Sequence, residues 1–523
     1  MGYFPLTNQL IWRHDEDRPT KRVRAALRAL LPFFLCCPLF AQDTTTNQKQ
    51  KPDFAKVRRY IEEQIATQHV PSITVAVVCG REILWEEGFG LADRENHIKA
   101  TEFTPYSVAS VTKTITGAAI MILQERHQLD LDHPVNQYLR SAKVHSPIWN
   151  PAEATVRRVA THTAGLTTYA RNCFADQPDC RVSLDEAINR YGILFWPPGE
   201  RFDYSNLGYG ILGQVVASVS GKTYHDFLKE EIFQPLGMTH CFLPAAGVPQ
   251  ESAAQYDQTT RKRTPPRQFG TPSASGGECS AHDLALFAIF QMKTRLPNQK
   301  AILSAASIDL SQSPIVDVSD GQHYGIGWWI NDDFFGYRSV FAAGGTNDSS
   351  AILQMIPSEG IAVAVISNTG TPLTSAVAEE VFSELLPSFR GRRAILAKNL
   401  APEQEKQRAP NSSLAGEWKG AIRTHQGNIP VTFSISPSGE VRSTLGSHPA
   451  VLLEKVSLDE QSVYGLLPGE VNTNDAPPPP YNLEVDLTLR GDTLVGAATT
   501  RELRTGERGA LLPYWMELKR LPQ

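Results

Sequence analysis

Apolar positions recur along this chain at two periods, and each change of period marks a change of element. Phe54, Val57, Ile61 and Ile65 fall on one face of a helix, and the β-rich runs Ile73 to Cys79 and Ile83 to Phe89 follow it, joined at Gly80-Arg81. Helical spacing returns at Val111, Ile115, Ala118, Ala119, Ile122 and Leu123. It returns again at Leu207, Ile211, Leu212, Val215, Val216 and Val219, where the pattern stops at Gly221. Arg338 to Phe341, Ser350 to Ile356 and Ile361 to Ser367 read as strands, the last two separated by Pro357-Ser358-Glu359-Gly360, and a helix is predicted over 375–386. Early and late strands can share one antiparallel sheet with helices on its faces, the helical and loop region of about 107–300 being inserted between them. That is an α/β fold class.

After Leu386 the composition turns to Arg390, Arg392, Arg393 and a Pro/Glu/Gln/Lys stretch, read as a linker over 389–413. Beyond it, short alternating runs (431–435, 451–456, 483–489, 494–498, 515–518) predict an antiparallel barrel or sandwich over 414–523. Pro477 to Pro480 read as an extended loop. The first folded unit is placed at 50–388.

The 523 residues suit two folded domains, and 50 basic against 55 acidic residues, a formal net charge of −5, leave no basic tract outside the N-terminus to hold nucleic acid. At the N-terminus Lys21, Arg22, Arg24 and Arg28 precede the apolar stretch Ala29 to Phe40 and then Ala41-Gln42, the layout of a secretory signal over 1–41. This predicts export to a periplasm or the medium, with an uncleaved N-terminal anchor as the sole route to a membrane. Of the seven cysteines, Cys36 and Cys37 lie in that segment. Cys173 and Cys180 bracket a polar loop that a disulfide could close for about 2 kcal/mol, and Cys79 reads as a buried thiol in a strand.

Three segments carry chemistry. Ser110 and Lys113 stand one turn apart at the start of a helix, so hydroxyl and amine share a face. There the helix dipole favours an alkoxide, while burial favours a neutral amine able to take its proton. Tyr204 and Asn206 precede a second helix and can point the same way, a phenol for proton transfer and an amide for a substrate carbonyl. Gly344 and Gly345, followed by Thr346, interrupt a strand where a ligand or backbone can come close and a free amide can face an oxygen. His162 reads as a loop-holding residue, Trp328 and Trp329 as core and pocket wall, and Glu200 and Asp203 as solvated loop carboxylates. No metal-ligand spacing and no nucleotide loop is present, so no cofactor or metal is expected; the expected partner is a small-molecule or peptide substrate.

In this order the three segments resemble the active-site triplet of the serine β-lactamase and penicillin-binding-protein superfamily, nearest to its class C branch with the esterase and peptidase relatives. His162-Thr163-Ala164-Gly165-Leu166, Pro198-Gly199-Glu200, Pro235-Leu236-Gly237-Met238, Ser275-Gly276-Gly277 and Tyr324 to Trp329 add to the resemblance, which spans about residues 55–385. It implies a β-lactamase/transpeptidase-like α/β fold, with a lipocalin-like all-β module at the C-terminus as in some members. It also implies an acyl-enzyme on Ser110, with Lys113 or Tyr204 as general base, the backbone amides of Ser110 and Gly345 as oxyanion hole, and Asn206 orienting the acyl portion. Substrate-binding positions would be Asn206, Gly344, Gly345 and Thr346.

Two positions depart from the family pattern. Ala342 stands where relatives place Lys or His, and Asp348 where glycine is usual. A hydrogen bond to a charged group is worth about 1.5–3 kcal/mol, so loss of the cation argues against β-lactams and free carboxylates. The expectation is a serine hydrolase for small esters, amides or D-amino-acid peptides; the alternative is a catalytically silent protein that keeps the fold for binding or sensing.

Overall fold

The computed structural model describes residues 52–176, 181–244, 252–399, 412–502 and 510–522. The N-terminal segment read as a signal therefore lies outside the described residues.

The long apolar runs form the centre of a nine-stranded sheet. Its order is Val316–Ser319, Gln322–Tyr324, Trp329–Phe334, Tyr337–Thr346, Ser349–Ile356, Ile361–Ser367, Ser72–Cys79, Glu82–Asp93 and Ile98–Lys99. The N-terminal hairpin joins the late strands, Ile73 pairing with Ser367 and Cys79 with Ile361, all antiparallel. The period of two decides what each face meets. Val75 and Val77 pack with Val363, Val365, Val57, Ile61, Val377 and Val381 under the helices Ala55–Gln68 and Leu373–Leu385. Ala76, Val78, Ala362 and Ala364 turn the other way into the main core, shared with the helices Thr112–Glu125 and Ala281–Gln291.

Three expectations need correction. Cys79 is exposed, because the strand ends there at the Gly80 turn and its side chain is left uncovered. The first part of the segment read as linker is the helix Pro387–Asn399. It is held because Phe389 is fully buried against Phe334 and Phe382, while Arg390 and Arg393 pair with Glu384 and Glu380 at 3.0 and 2.7 Å. Asp203 is not a solvated carboxylate, as described below. Cys173 is disulfide-bonded, but the expected partner Cys180 lies outside the described residues. A further disulfide, Cys241–Cys279, joins positions that sequence spacing did not pair.

The C-terminal region is a second nine-stranded antiparallel sheet, nearly closed into a barrel. Its core is built on Trp418, Phe433, Leu487, Met516 and Leu518, all buried, with the Trp418 indole donating to the Leu414 carbonyl at 3.0 Å. The barrel docks on the inserted region through paired charges and rings. Arg190 Nη1 and the Tyr191 hydroxyl donate to Asp475 at 2.7 and 2.5 Å, Arg201 Nη2 donates to Asp486 at 2.7 Å, and Trp515 stacks on Phe195. The strand Ala510–Leu511 leaves the barrel to pair with Ala170–Phe174 of the first domain.

Asp475 is the most buried charge of this contact, with 8% side-chain exposure against 17% for Arg190. Removing it leaves Arg190 only its pair with the more exposed Glu186 and strips the Tyr191 hydroxyl of its acceptor. Asp475→Ala should therefore lower the stability of the docked barrel by about 1–3 kcal/mol, read as an earlier urea midpoint by tryptophan fluorescence. An unchanged midpoint would show that this pair does not hold the two units together.

Candidate active site

The position of Ser110 is set by a strained turn. Ala109 has φ +43°, in the left-handed region that costs a non-glycine residue about 1–3 kcal/mol, and the 3-10 turn Ala109–Val111 leads directly into the helix Thr112–Glu125. Thr112 pins the turn: its Oγ1 donates to the Ala109 carbonyl at 2.6 Å and accepts from the Gly277 N–H at 2.9 Å. Ser110 is left half-buried at the helix start, facing a cleft.

Lys113 is only 1% exposed. Its Nζ lies 3.1 Å from Ser110 Oγ, 2.8 Å from Asn206 Oδ1 and 3.0 Å from the Ala274 carbonyl, with no carboxylate among these partners. Burial alone pushes the amine well below its usual range. The Gly327 backbone, at φ +84°, presses on the Lys113 carbonyl; a Cβ there would stand 2.6 Å from that oxygen. Thus part of the Tyr324 to Trp329 segment acts by shaping the backbone under the lysine.

Tyr204 and Asn206 flank Ser205, the N-cap of the helix Asn206–Ser220, whose Oγ accepts from the Gly208 N–H at 3.0 Å. Asn206 is therefore the first helical residue, free of capping duty. Lys113 Nζ sits 4.7 Å from the centre of the Tyr204 ring. The ring is held between Trp329, stacked at 6.3 Å, and His162 at 4.4 Å. His162 performs the loop-holding role expected of it: Nδ1 accepts from the Ser205 N–H at 3.0 Å and its carbonyl from the Asp203 N–H at 2.8 Å. Burial holds the imidazole well below its usual range, hence neutral, with its proton on Nε2. Asp203 is mostly buried and accepts from the Trp196 indole at 2.9 Å, because Arg201, lying on the Trp196 ring, brings a charge to meet it. Glu200 lies at the surface and pairs with Arg490 of the barrel.

The two glycines have different reasons to be glycine. A Cβ on Gly344 would lie 2.1 Å from the Val108 carbonyl and 2.8 Å from the Ser110 nitrogen, so the strand Tyr337–Thr346 can touch the nucleophile turn only without a side chain. Gly345 is exposed, and a Cβ there would meet nothing nearer than 3.8 Å. Ala342, where the resemblance implied a cation, is 3% exposed and part of the main core. Asp348 brings no unpaired negative charge. It is fully buried and accepts from Arg267 Nη2 at 3.0 Å, Thr264 Oγ1 at 3.0 Å and Thr346 Oγ1 at 2.5 Å.

Ser110, Tyr204, Asn206, Gly345 and Thr346 thus share one cleft of about 200 Å³, with Lys113 beneath it and Gly344 behind it. Sequence reasoning missed much of the rest of its wall, including Asn172, Gln258, Arg267, Phe269 and Leu511. These lie on short strands and loops with no periodic signal, and Leu511 comes from the other domain.

Residues 57–385 match the family model described as Beta-lactamase. The chain is 24% identical over 349 residues to Protein flp of Staphylococcus aureus (strain N315), covering 65% of this chain and 67% of that protein. It is 28% identical over 337 residues to the Unguisins hydrolase ungD' of Aspergillus campestris, covering 61% of each. Among solved structures, the octameric penicillin-binding protein homologue from Pyrococcus abyssi aligns over 89% of this chain and 100% of its own, with TM-score 0.56 and 21% identity. A class C beta lactamase from Rhodobacter sphaeroides aligns over 65% of this chain and 99% of its own, with TM-score 0.50 and 21% identity.

The lowered Lys113 pKa fixes a sign. An unfolded lysine, with pKa about 10.4, binds a proton that the native amine refuses, so folding stability rises with pH between the lowered native value and that limit. Lys113→Met abolishes this dependence. The stability of the variant relative to wild type should therefore decline as pH rises across that window, measured by urea denaturation at several pH values. A constant difference would mean that Lys113 stays charged in the native protein.

Proposed function

The chain belongs to the beta-lactamase family, and on that premise we propose that it is an exported serine hydrolase working through an acyl-enzyme on Ser110. The observation that carries this reading is the set of three contacts around the Lys113 nitrogen. A neutral amine has two N–H donors and one lone pair. The Asn206 and Ala274 oxygens can only accept, so they take both donors, and the lone pair is left for the Ser110 hydroxyl, which donates to it. That is the ground state of a general-base pair.

In the proposed cycle, Ser110 Oγ attacks the scissile carbonyl carbon as its proton passes to Lys113 Nζ. The backbone N–H groups of Ser110 and Gly345 receive the oxyanion; one donor of this kind is typically worth about 2.7–4 kcal/mol. Collapse of the adduct breaks the bond to the leaving group, which departs with a proton delivered from the Lys113 ammonium through the neighbouring Tyr204 phenol. Water then attacks the Ser110 ester as its proton passes to the same amine and phenol pair; collapse of this adduct breaks the acyl–Oγ bond, releases the acid, and the proton returns to Ser110 Oγ. The amide nitrogen of Asn206, whose oxygen is engaged by Lys113, faces the carbonyl of the acyl portion.

Substrate choice follows from charge. With an apolar Ala342 and with Arg267 neutralised by Asp348, the described walls offer no unpaired cation for a carboxylate. Neutral esters, amides and blocked or D-amino-acid peptides fit better than β-lactams. Export is supported by the leader pattern and by the Cys241–Cys279 disulfide, which an oxidising compartment maintains.

A fluorophosphonate probe should label wild type and fail on Ser110→Ala. Short-chain p-nitrophenyl esters should be cleaved, nitrocefin negligibly. Lys113→Arg, fixed as a cation, should lower kcat/KM by about 10²–10⁴, and wild-type kcat/KM should fall on acidification as the amine gains a proton. Absence of labelling would favour the silent binding protein; rapid nitrocefin turnover would show that Ala342 has been overvalued.

A further inference from the structure

The small sheet made by Ala510–Leu511, Ala170–Phe174 and Arg267–Phe269 turns one face to the cleft. Across it Leu511 pairs with Ala170, Asn172 with Phe269, and Phe174 with Arg267. Side chains alternate along a strand and direct partners share a face. Leu511, Ala170, Asn172, Phe269, Phe174 and Arg267 therefore lie on one side, as the Arg267 guanidinium 4.6 Å from the Phe174 ring centre bears out. All of these but Phe174 line the cleft beside Ser110.

Leu511 is held firmly in this wall. The Thr500 hydroxyl donates to the Ala510 carbonyl at 2.9 Å and accepts from the Leu512 N–H at 2.9 Å, while the Thr500 N–H donates to the Leu512 carbonyl at 3.1 Å. Ala510 and Leu512 on either side are buried in the core. The barrel thus fixes both neighbours and leaves Leu511 half-buried at the cleft.

The face adjoins the acyl side of the site. Ser205 Oγ donates to the Thr167 carbonyl at 2.8 Å, tying the approach to Ala170–Phe174 to the segment that carries Tyr204 and Asn206, and Thr168 lines the same cleft. Its one charge, Arg267, is 8% exposed and matched by a fully buried Asp348. What remains is hydrocarbon from Leu511, Ala170 and Phe269 beside the neutral amide of Asn172.

We propose that this face is an acyl-binding subsite for an uncharged, apolar acyl group, and that the C-terminal barrel completes it by supplying Leu511. The proposal rests on the acyl-enzyme reading given above. The catalytic domain without its barrel would keep Ser110 and Lys113 but have an open wall where the acyl chain packs.

The test compares kcat/KM of the full-length protein for the p-nitrophenyl esters of acetate, butyrate, hexanoate and hemisuccinate in wild type, Leu511→Ala and Leu511→Asp, with far-UV circular dichroism and the fluorophosphonate labelling rate of Ser110 recorded for each. Wild type should prefer butyrate or hexanoate to acetate and reject hemisuccinate. Leu511→Asp should cut the hexanoate-to-acetate ratio by about tenfold or more, and Leu511→Ala by less, the scale on which an apolar pocket reads chain length. Labelled, folded variants with the wild-type chain-length profile would overturn the subsite and leave the acyl-enzyme standing. A wild type that neither labels at Ser110 nor cleaves any of the esters would overturn both.

Discussion

The site depends on an amine that the fold keeps out of water without giving it a counterion. Lys113 is surrounded by a serine hydroxyl, an asparagine oxygen and a main-chain carbonyl, and each comes from a different part of the chain. Those partners tolerate a neutral amine and compensate a cation poorly. The start of the nucleophile helix, the N-terminus of Asn206–Ser220 and the Pro272–Ser275 turn must all close on the same nitrogen. On the proposed mechanism, chemistry and tertiary packing are thereby one constraint: any loosening that admits water lets the amine protonate and disables it as a base.

Electrostatic balance elsewhere around the cleft follows the same logic. His162 is kept neutral and spends its Nδ1 on a backbone amide, so an imidazole beside the tyrosine adds no charge to the site. Arg267 and Asp348 cancel one another in a buried pair whose partners include Thr264 and Thr346. A buried pair of this type adds little net stability. Here it locks the Asn347-Asp348 turn of the hairpin carrying Gly345 to the strand that forms the opposite wall.

Periodicity made the central elements legible. The strand run Ile73 to Cys79, the stripe beginning at Val111 and the stop at Gly221 all appear as read, since each reports burial that the local pattern itself specifies. Helical spacing already put Ser110 beside Lys113, but the approach of Tyr204 and Asn206 to them was legible only through resemblance to a known arrangement, because no local rule brings position 113 to 206. The fate of Asp203 and Asp348 was not legible at all. A carboxylate in a loop reads as solvated unless its distant partner is known, and Arg201 and Arg267 become partners only after folding. The Arg390 to Arg393 cluster misled for the opposite reason: polar composition suggested a linker, while Phe389 and the facing glutamates supplied a docking surface.

Adjacent glycines give the pocket an uneven capacity for change. Position 344 is closed in every lineage that keeps this backbone, since even a methyl group would strike the carbonyl of Val108. Position 345 has free volume before it and opens on the cleft. New selectivity can accumulate there one carbon at a time, as drift along a tolerant edge, while its neighbour stays frozen by contact with the turn that bears the nucleophile.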